Sequence, residues 1–93
     1  MSDSFYKAIS DRTRREILSL LRRKGPMSVN EIAGNFTISL PAISEHLKVL
    51  RNADLVSTRK EKQFVFYSLN TTVLEDLGRW ILDLIQKKEV NDD

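Results

Sequence analysis

Cysteine is absent from the chain and histidine occurs once, at His46. The first absence excludes disulfides and thiolate metal sites, and the second excludes a multi-histidine zinc site built within one chain. The same scarcity argues against an enzyme, because a nucleophile, base and orienting group are not to be assembled around one histidine and no cysteine. Glycine is rare, at three residues, and forms no phosphate-cradling loop. No apolar run approaches the length needed to cross a bilayer, and "MSDSFYKAIS" lacks a basic segment followed by an apolar stretch. A cytoplasmic protein without metal or other cofactor is the expectation.

Proline, glycine and serine are nowhere concentrated into a linker, and no repeat or low-complexity stretch occurs. Residues 1–93 therefore read as a single unit with a short polar tail at "KKEVNDD". A chain of 93 residues with 41% apolar content leaves much apolar surface near water and often completes its core by pairing with a copy of itself. The net charge of +2 is unevenly spread. Residues 1–65 hold 12 Lys and Arg against 7 Asp and Glu, a balance of +5, whereas residues 66–93 hold 3 against 6, a balance of −3. That distribution suits a polyanion-binding body followed by a segment with another task.

Periodicity gives the order of elements. Phe5, Ala8 and Ile9 form a short apolar stripe ending at Ser10-Asp11. Asp11 is a good N-cap for "RTRREILSLLRRKG", in which Ile17, Leu18, Leu20 and Leu21 make the buried face, Arg22, Arg23 and Lys24 complement the carbonyl end, and Gly25-Pro26 stops the helix. Ser28 followed by Glu31 is a capping-box pattern that opens a short helix through Val29, Ile32 and Ala33, fading near Gly34-Asn35. After a turn at Phe36, Thr37 and Ile38, Ser39 caps a further helix with Pro41 in its first turn. Along it Ile43, Leu47 and Leu50 share one side, while Pro41, Ser44, Glu45, Lys48 and Asn52 project from the other.

Beyond Ala53-Asp54 the period changes. "LVSTRK" and "QFVFYSL" read as two strands joined by a charged connection around Lys60, Glu61 and Lys62. A last helix starts at Asn70, Thr71 or Thr72, with Glu75 three residues after Thr72, and is expected to run to about Lys88. Its apolar stripe, Val73, Leu77, Trp80, Ile81, Leu84 and Ile85, needs a partner surface.

The expected fold is mainly α with a small β-hairpin, in the order α-α-α-α-β-β-α. That is the arrangement of a winged helix-turn-helix, where a short helix braces the next so that the latter lies in the DNA major groove. On this reading the recognition helix offers Ser39, Leu40, Pro41, Ser44, Glu45, His46 and Lys48 to double-stranded DNA, and the wing offers Arg59, Lys60, Lys62 and Gln63. Glu45 suits a cytosine amino group, Ser44 several base edges, Lys48 phosphate or guanine, and Leu40 and Pro41 a thymine methyl. The plainer reading of Ser44, Glu45 and Lys48 is the solvated side of an amphipathic helix; their place after a helix-turn shifts the balance towards DNA. His46 falls beside Ile43, Leu47 and Leu50, so packing and hydrogen bonding are expected of it first and a phosphate contact second. Arg14 is expected in an internal ion pair, with Arg12 and Arg15 at phosphate.

The stretches "AISDRTRREILSLL" and "MSVNEIAGNFTISLPAISEHLKVLRNADLVSTRKEKQFVFYSL" resemble the ArsR-type family of bacterial repressors, in an Asp-x-Thr-Arg helix start, a Ser-x-x-x-x-Ser-x-His-Leu-x-x-Leu recognition helix and a wing ending in Tyr-x-Leu. The likeness covers Phe5 to about Ile85. With the "YSLNTTVLEDLGRWILDLI" ending and the lack of cysteine, it is strongest to the branch that represses a sporulation-delay operon. The resemblance implies a homodimer on an inverted-repeat operator, autorepression, and sequestration by a membrane immunity protein. It also implies a dimer interface from Phe5, Ile9, Leu77, Trp80, Ile81 and Leu84. Three positions depart from the family pattern: Arg12 stands for a common Pro, and Thr37 and Glu61 stand for common Gly, so Thr37 suggests an altered or strained turn. Two alternatives stand beside this reading. One is a metal-sensing repressor of the same family, for which the last helix offers only Glu75, Asp76 and Asp83, oxygen ligands suited to hard ions. The other is an interaction module that no longer binds DNA.

Overall fold

A computed structural model of the chain describes residues 3–86. Its elements are α1 (Asp3–Ile9), α2 (Arg12–Lys24), β1 (Met27–Ser28), α3 (Val29–Ala33), α4 (Leu40–Asn52), β2 (Val56–Glu61), β3 (Phe64–Leu69) and α5 (Thr71–Ile85). The helical order and the hairpin are those expected, with one addition. Met27 and Ser28 pair with Tyr67 and Phe66, so the hairpin gains a two-residue third strand and the antiparallel sheet runs β1-β3-β2. Two residues carry no alternating pattern, which is why this strand is invisible in the sequence.

Caps set the helix boundaries. The Asp11 carboxylate accepts the Arg14 N–H at 3.0 Å, and Gly25, at φ 80°, ends α2 with its N–H on the Leu21 carbonyl. In the capping box of α3, Ser28 Oγ accepts the Glu31 N–H at 3.2 Å and the Glu31 carboxylate accepts the Ser28 N–H at 2.9 Å. Ser39 Oγ accepts the Ala42 N–H at 3.3 Å, with Pro41 in the first turn of α4 where no N–H is missed. The expected Thr72–Glu75 box does not form: α5 starts at an Asn70 cap without a side-chain hydrogen bond. The backbone N–H of Asn70 instead donates to the Leu55 carbonyl at 3.0 Å, tying the helix start to the head of β2. Expected to run to about Lys88, α5 ends at Ile85 with Gln86 in extended backbone, and the polar tail lies outside the described residues.

The core is one cluster drawn from α1 to α4 and the base of the sheet, with Phe5, Ile17, Ile32, Ile43, Leu47, Leu50 and Leu55 fully enclosed. Phe5, expected at a dimer interface, is a correction. It is only 2% exposed, so its apolar area is consumed within the chain. Val73, Leu74 and Leu77 of α5 pack on this cluster half-buried, but no residue of α5 is fully buried. From Trp80 to Ile85 its apolar side chains stand in solvent, Ile85 at 72% exposure.

The turn before α4 also differs from expectation. Thr37 does not take a left-handed conformation; the non-glycine residues that do, among those described, are Asp54 at φ 60° and Lys62 at φ 56°. The corner is made with right-handed backbone at Gly34, φ −62°, and closed by Asn35 and Phe36 N–H groups on the carbonyls of Ile32 and Ala33. No φ above zero is needed there, so a threonine is unstrained.

Candidate nucleic-acid interface

The exposed face of α4 follows from what its other face buries. Ile43, Leu47 and Leu50, at spacings of four and three, lock one side into the core and fix the rotation of the helix. Leu40, Pro41, Ser44, Glu45, Lys48 and Asn52 are all exposed on the other side. Among the described residues no hydrogen bond or ion pair engages the side chains of Ser44, Glu45 or Lys48. Their polar atoms are thus available to a ligand. Ile38 and Leu40, both about two-fifths exposed, flank the Ser39 cap and add apolar surface at the N-terminal end of α4. Ile38 was read as part of the turn, and its exposure depends on how the turn packs, which the sequence does not carry.

His46 separates from this set. Its side chain is largely covered, and Nδ1 sits 3.2 Å from the Arg14 guanidinium and 3.9 Å from Asp11 Oδ2. An arginine N–H only donates, so in that contact Nδ1 is the acceptor. His46 thus braces α4 against the start of α2 and does not face the base-reading side. Arg14 is likewise a correction. Among the described residues its guanidinium forms no ion pair but donates to the Ala8 carbonyl at 2.8 Å and the Lys7 carbonyl at 3.1 Å, while Arg15 donates to the Ile9 carbonyl at 2.9 Å. Two of the three arginines expected at phosphate or in an ion pair thereby cap the carbonyl end of α1. Arg12 pairs with Glu16 at 3.4 Å across an exposed helix turn. The Asp11 carboxyl is held below its usual range, chiefly because it accepts the Arg14 N–H, with the Arg14 charge adding to the effect.

The wing is a tight hairpin. Val56 pairs with Leu69 and Glu61 with Phe64, so the connection is only Lys62 and Gln63, and Lys60 and Glu61 belong to β2 and not to the loop. Strand alternation puts Arg59 and Glu61 on one face and Lys60 on the other. Arg59 and Glu61 form an ion pair of 3.0 Å. Arg59, Lys60, Lys62 and Gln63 are all exposed. Of the residues assigned to a dimer surface, Trp80, Ile81 and Leu84 are exposed, Ile9 and Leu77 are partly covered, and Phe5 is enclosed. Of the acidic groups on α5, Asp76 is paired with Arg79 at 2.8 Å, and the described residues hold no group of three or more His, Cys, Asp or Glu placed for a metal ion. No helix among them is long and apolar enough to cross a membrane.

A short bracing helix, an exposed polar face on the next helix and a basic-tipped hairpin beside it define a winged helix-turn-helix protein of the DNA-binding kind. Residues 11–58 match the family of bacterial regulatory proteins called arsR. The chain is 49% identical over 85 residues to the transcriptional repressor SdpR of Bacillus subtilis, which covers 91% of this chain and 93% of that protein. It is 42% identical over 66 residues to the transcriptional activator HlyU of Vibrio cholerae, covering 71% and 60% of the two chains. Among solved structures, an ArsR-like transcriptional regulator from Rhodococcus sp. RHA1 superposes with a TM-score of 0.80 at 31% identity, covering 87% of this chain and 73% of that one. The chain belongs to the ArsR family: it is a DNA-binding transcriptional regulator, and its relatives and fold are those of regulators and not of enzymes.

Proposed function

We propose that this regulator is a cytoplasmic repressor that works as a homodimer on an inverted-repeat operator, the operator of its own operon included. The carrying observation is the exposed face of α4, where Ser44, Glu45 and Lys48 have no partner among the described residues while the opposite face is locked in the core. Similarity to SdpR over nearly the full length of both chains supports the sign of the regulation. In this mechanism the basic body and wing neutralise phosphate, the hairpin sets orientation, and Ser44 and Glu45 read base edges. Glu45 is the informative residue, since a carboxylate near DNA lowers affinity unless it accepts a hydrogen bond from a base. The exposed stripe Trp80, Ile81, Leu84 on α5, with Ile9 of α1, supplies the dimer surface. A two-fold axis then sets the two copies of α4 about 34 Å apart, one turn of the duplex. The resemblance to the sporulation-delay branch supports a membrane immunity protein as the partner that withdraws the repressor from DNA.

Fluorescence anisotropy with DNA from upstream of its own gene, at two salt concentrations and beside an unrelated duplex, tests this reading. Tight, selective and salt-dependent binding at two chains per site is the expected result. Equal weak binding to both duplexes would refute it, and unchanged operator binding with zinc and with chelator would separate it from metal sensing.

A further inference from the structure

Glu61 stands where an acidic group works against the wing. The Arg59 guanidinium lies 3.0 Å from the Glu61 carboxylate, with side-chain exposures of 65% and 56%. The two residues are two apart in one strand and so share a face, with Phe66 opposite Arg59 and Phe64 opposite Glu61. The Phe64 and Phe66 rings are 6.3 Å apart and occupy the β3 half of that face. Lys60 lies on the other face and Lys62 in the turn, and neither makes an ion pair among the described residues. Arg59 is therefore the one wing cation, among those described, whose charge is already answered within the chain.

We propose that Glu61 is an electrostatic restraint on the wing: by holding Arg59 in this ion pair it lowers affinity for DNA of any sequence and flattens the salt dependence. This rests on the wing lying against the duplex, as in the proposed function. The physical grounds are simple. An exposed pair is weak enough to open when phosphate competes for the guanidinium, yet opening it leaves the Glu61 carboxylate uncompensated beside the phosphate chain. Because the contact is with backbone charge and not with base edges, its effect is blind to sequence.

The experiment compares the full chain with Glu61→Gln, Arg59→Ala and the double variant, by anisotropy titration on its own upstream DNA and on an unrelated duplex across several salt concentrations. Both side chains are exposed, and circular dichroism checks that each variant keeps the fold. Glu61→Gln is expected to tighten binding about threefold to tenfold on both duplexes alike. Its salt slope steepens by about 0.9 for each wing engaged. In the Arg59→Ala background the gain from Glu61→Gln shrinks to about half or less, because the released cation is no longer there. No gain from Glu61→Gln, a gain on one duplex only, or a gain undiminished without Arg59 each overturns the restraint while leaving the DNA reading intact. A parent chain without salt-dependent DNA binding overturns both.

Discussion

Helix α4 spends its apolar stripe inside the chain, with Ile43, Leu47 and Leu50 at most 1% exposed, whereas α5, 15 residues against 13, leaves Trp80, Leu82, Leu84 and Ile85 between 46% and 72% exposed. Both are amphipathic, so periodicity alone does not distinguish them. Their surroundings do. Helix α4 is enclosed by α1, α2, α3 and β2, while α5 leaves the end of β3 and meets the core only along its first turns, through Val73, Leu74 and Leu77. An apolar stripe thus identifies a helix but not what will cover it: in α4 it is covered by the same chain, and in α5 the uncovered half is the surface proposed for a second copy.

Truncation should separate the two helices most sharply. Leu50→Ala is expected to cost about 2 to 5 kcal/mol of unfolding free energy, read from urea denaturation, because it opens a cavity in a closed core. Leu84→Ala removes the same atoms from a residue that is 66% exposed and should leave the stability of the isolated chain nearly unchanged. In the proposed homodimer its effect falls on association, expected at about 2 kcal/mol for each protomer in the dissociation constant measured by sedimentation. Both copies of the substitution count in a symmetric pair. Equal losses of chain stability from the two substitutions would break the contrast.

A smaller effect divides the two ends of the DNA surface. Glu45→Ala should cost about 1 to 3 kcal/mol on operator DNA and relax selectivity at one base position in each half-site. Lys62→Ala should weaken binding to every duplex and reduce the salt slope by about 0.9 per wing. Measured side by side against a panel of single-base operator variants, the pair tells base reading from phosphate contact. A uniform loss from Glu45→Ala would remove it from the base-reading set.

These contrasts also show what was legible in the residues. The order of helices, the three side-chain caps at Asp11, Ser28 and Ser39 and the exposed face of α4 followed from spacing and cap chemistry, because those are local rules. The packing of His46 was legible too, but its partner Arg14, the two-residue strand β1 and the enclosure of Phe5 were not, because each depends on a neighbour distant in sequence: Arg14 for His46, Tyr67 for Met27, and the assembled core for Phe5. Arg14 is the instructive case. Its charge and position suggested an ion pair, yet the nearest unsatisfied groups were the carbonyls closing α1, and a guanidinium with five N–H donors reaches the carbonyls of Lys7 and Ala8 and His46 together.

The smallest effect concerns Asp11, where the same junction is read through pH. Its carboxyl is held below its usual value of 3.8, mainly by the Arg14 N–H that it caps. A carboxyl whose folded value is depressed binds fewer protons folded than unfolded. Its contribution to stability is therefore complete above about the unfolded value and is lost as pH falls through the lower folded one. Asp11→Asn keeps an oxygen that accepts the Arg14 N–H but carries no charge, so it should be slightly less stable than the parent at neutral pH. The gap should close as the medium is taken below the usual carboxylate range, measured as the difference in urea midpoint. A gap that stays constant into acid would mean that the Asp11 charge adds nothing to its cap, and that the junction of α1, α2 and α4 is held by the neutral hydrogen bonds and by Arg14 alone.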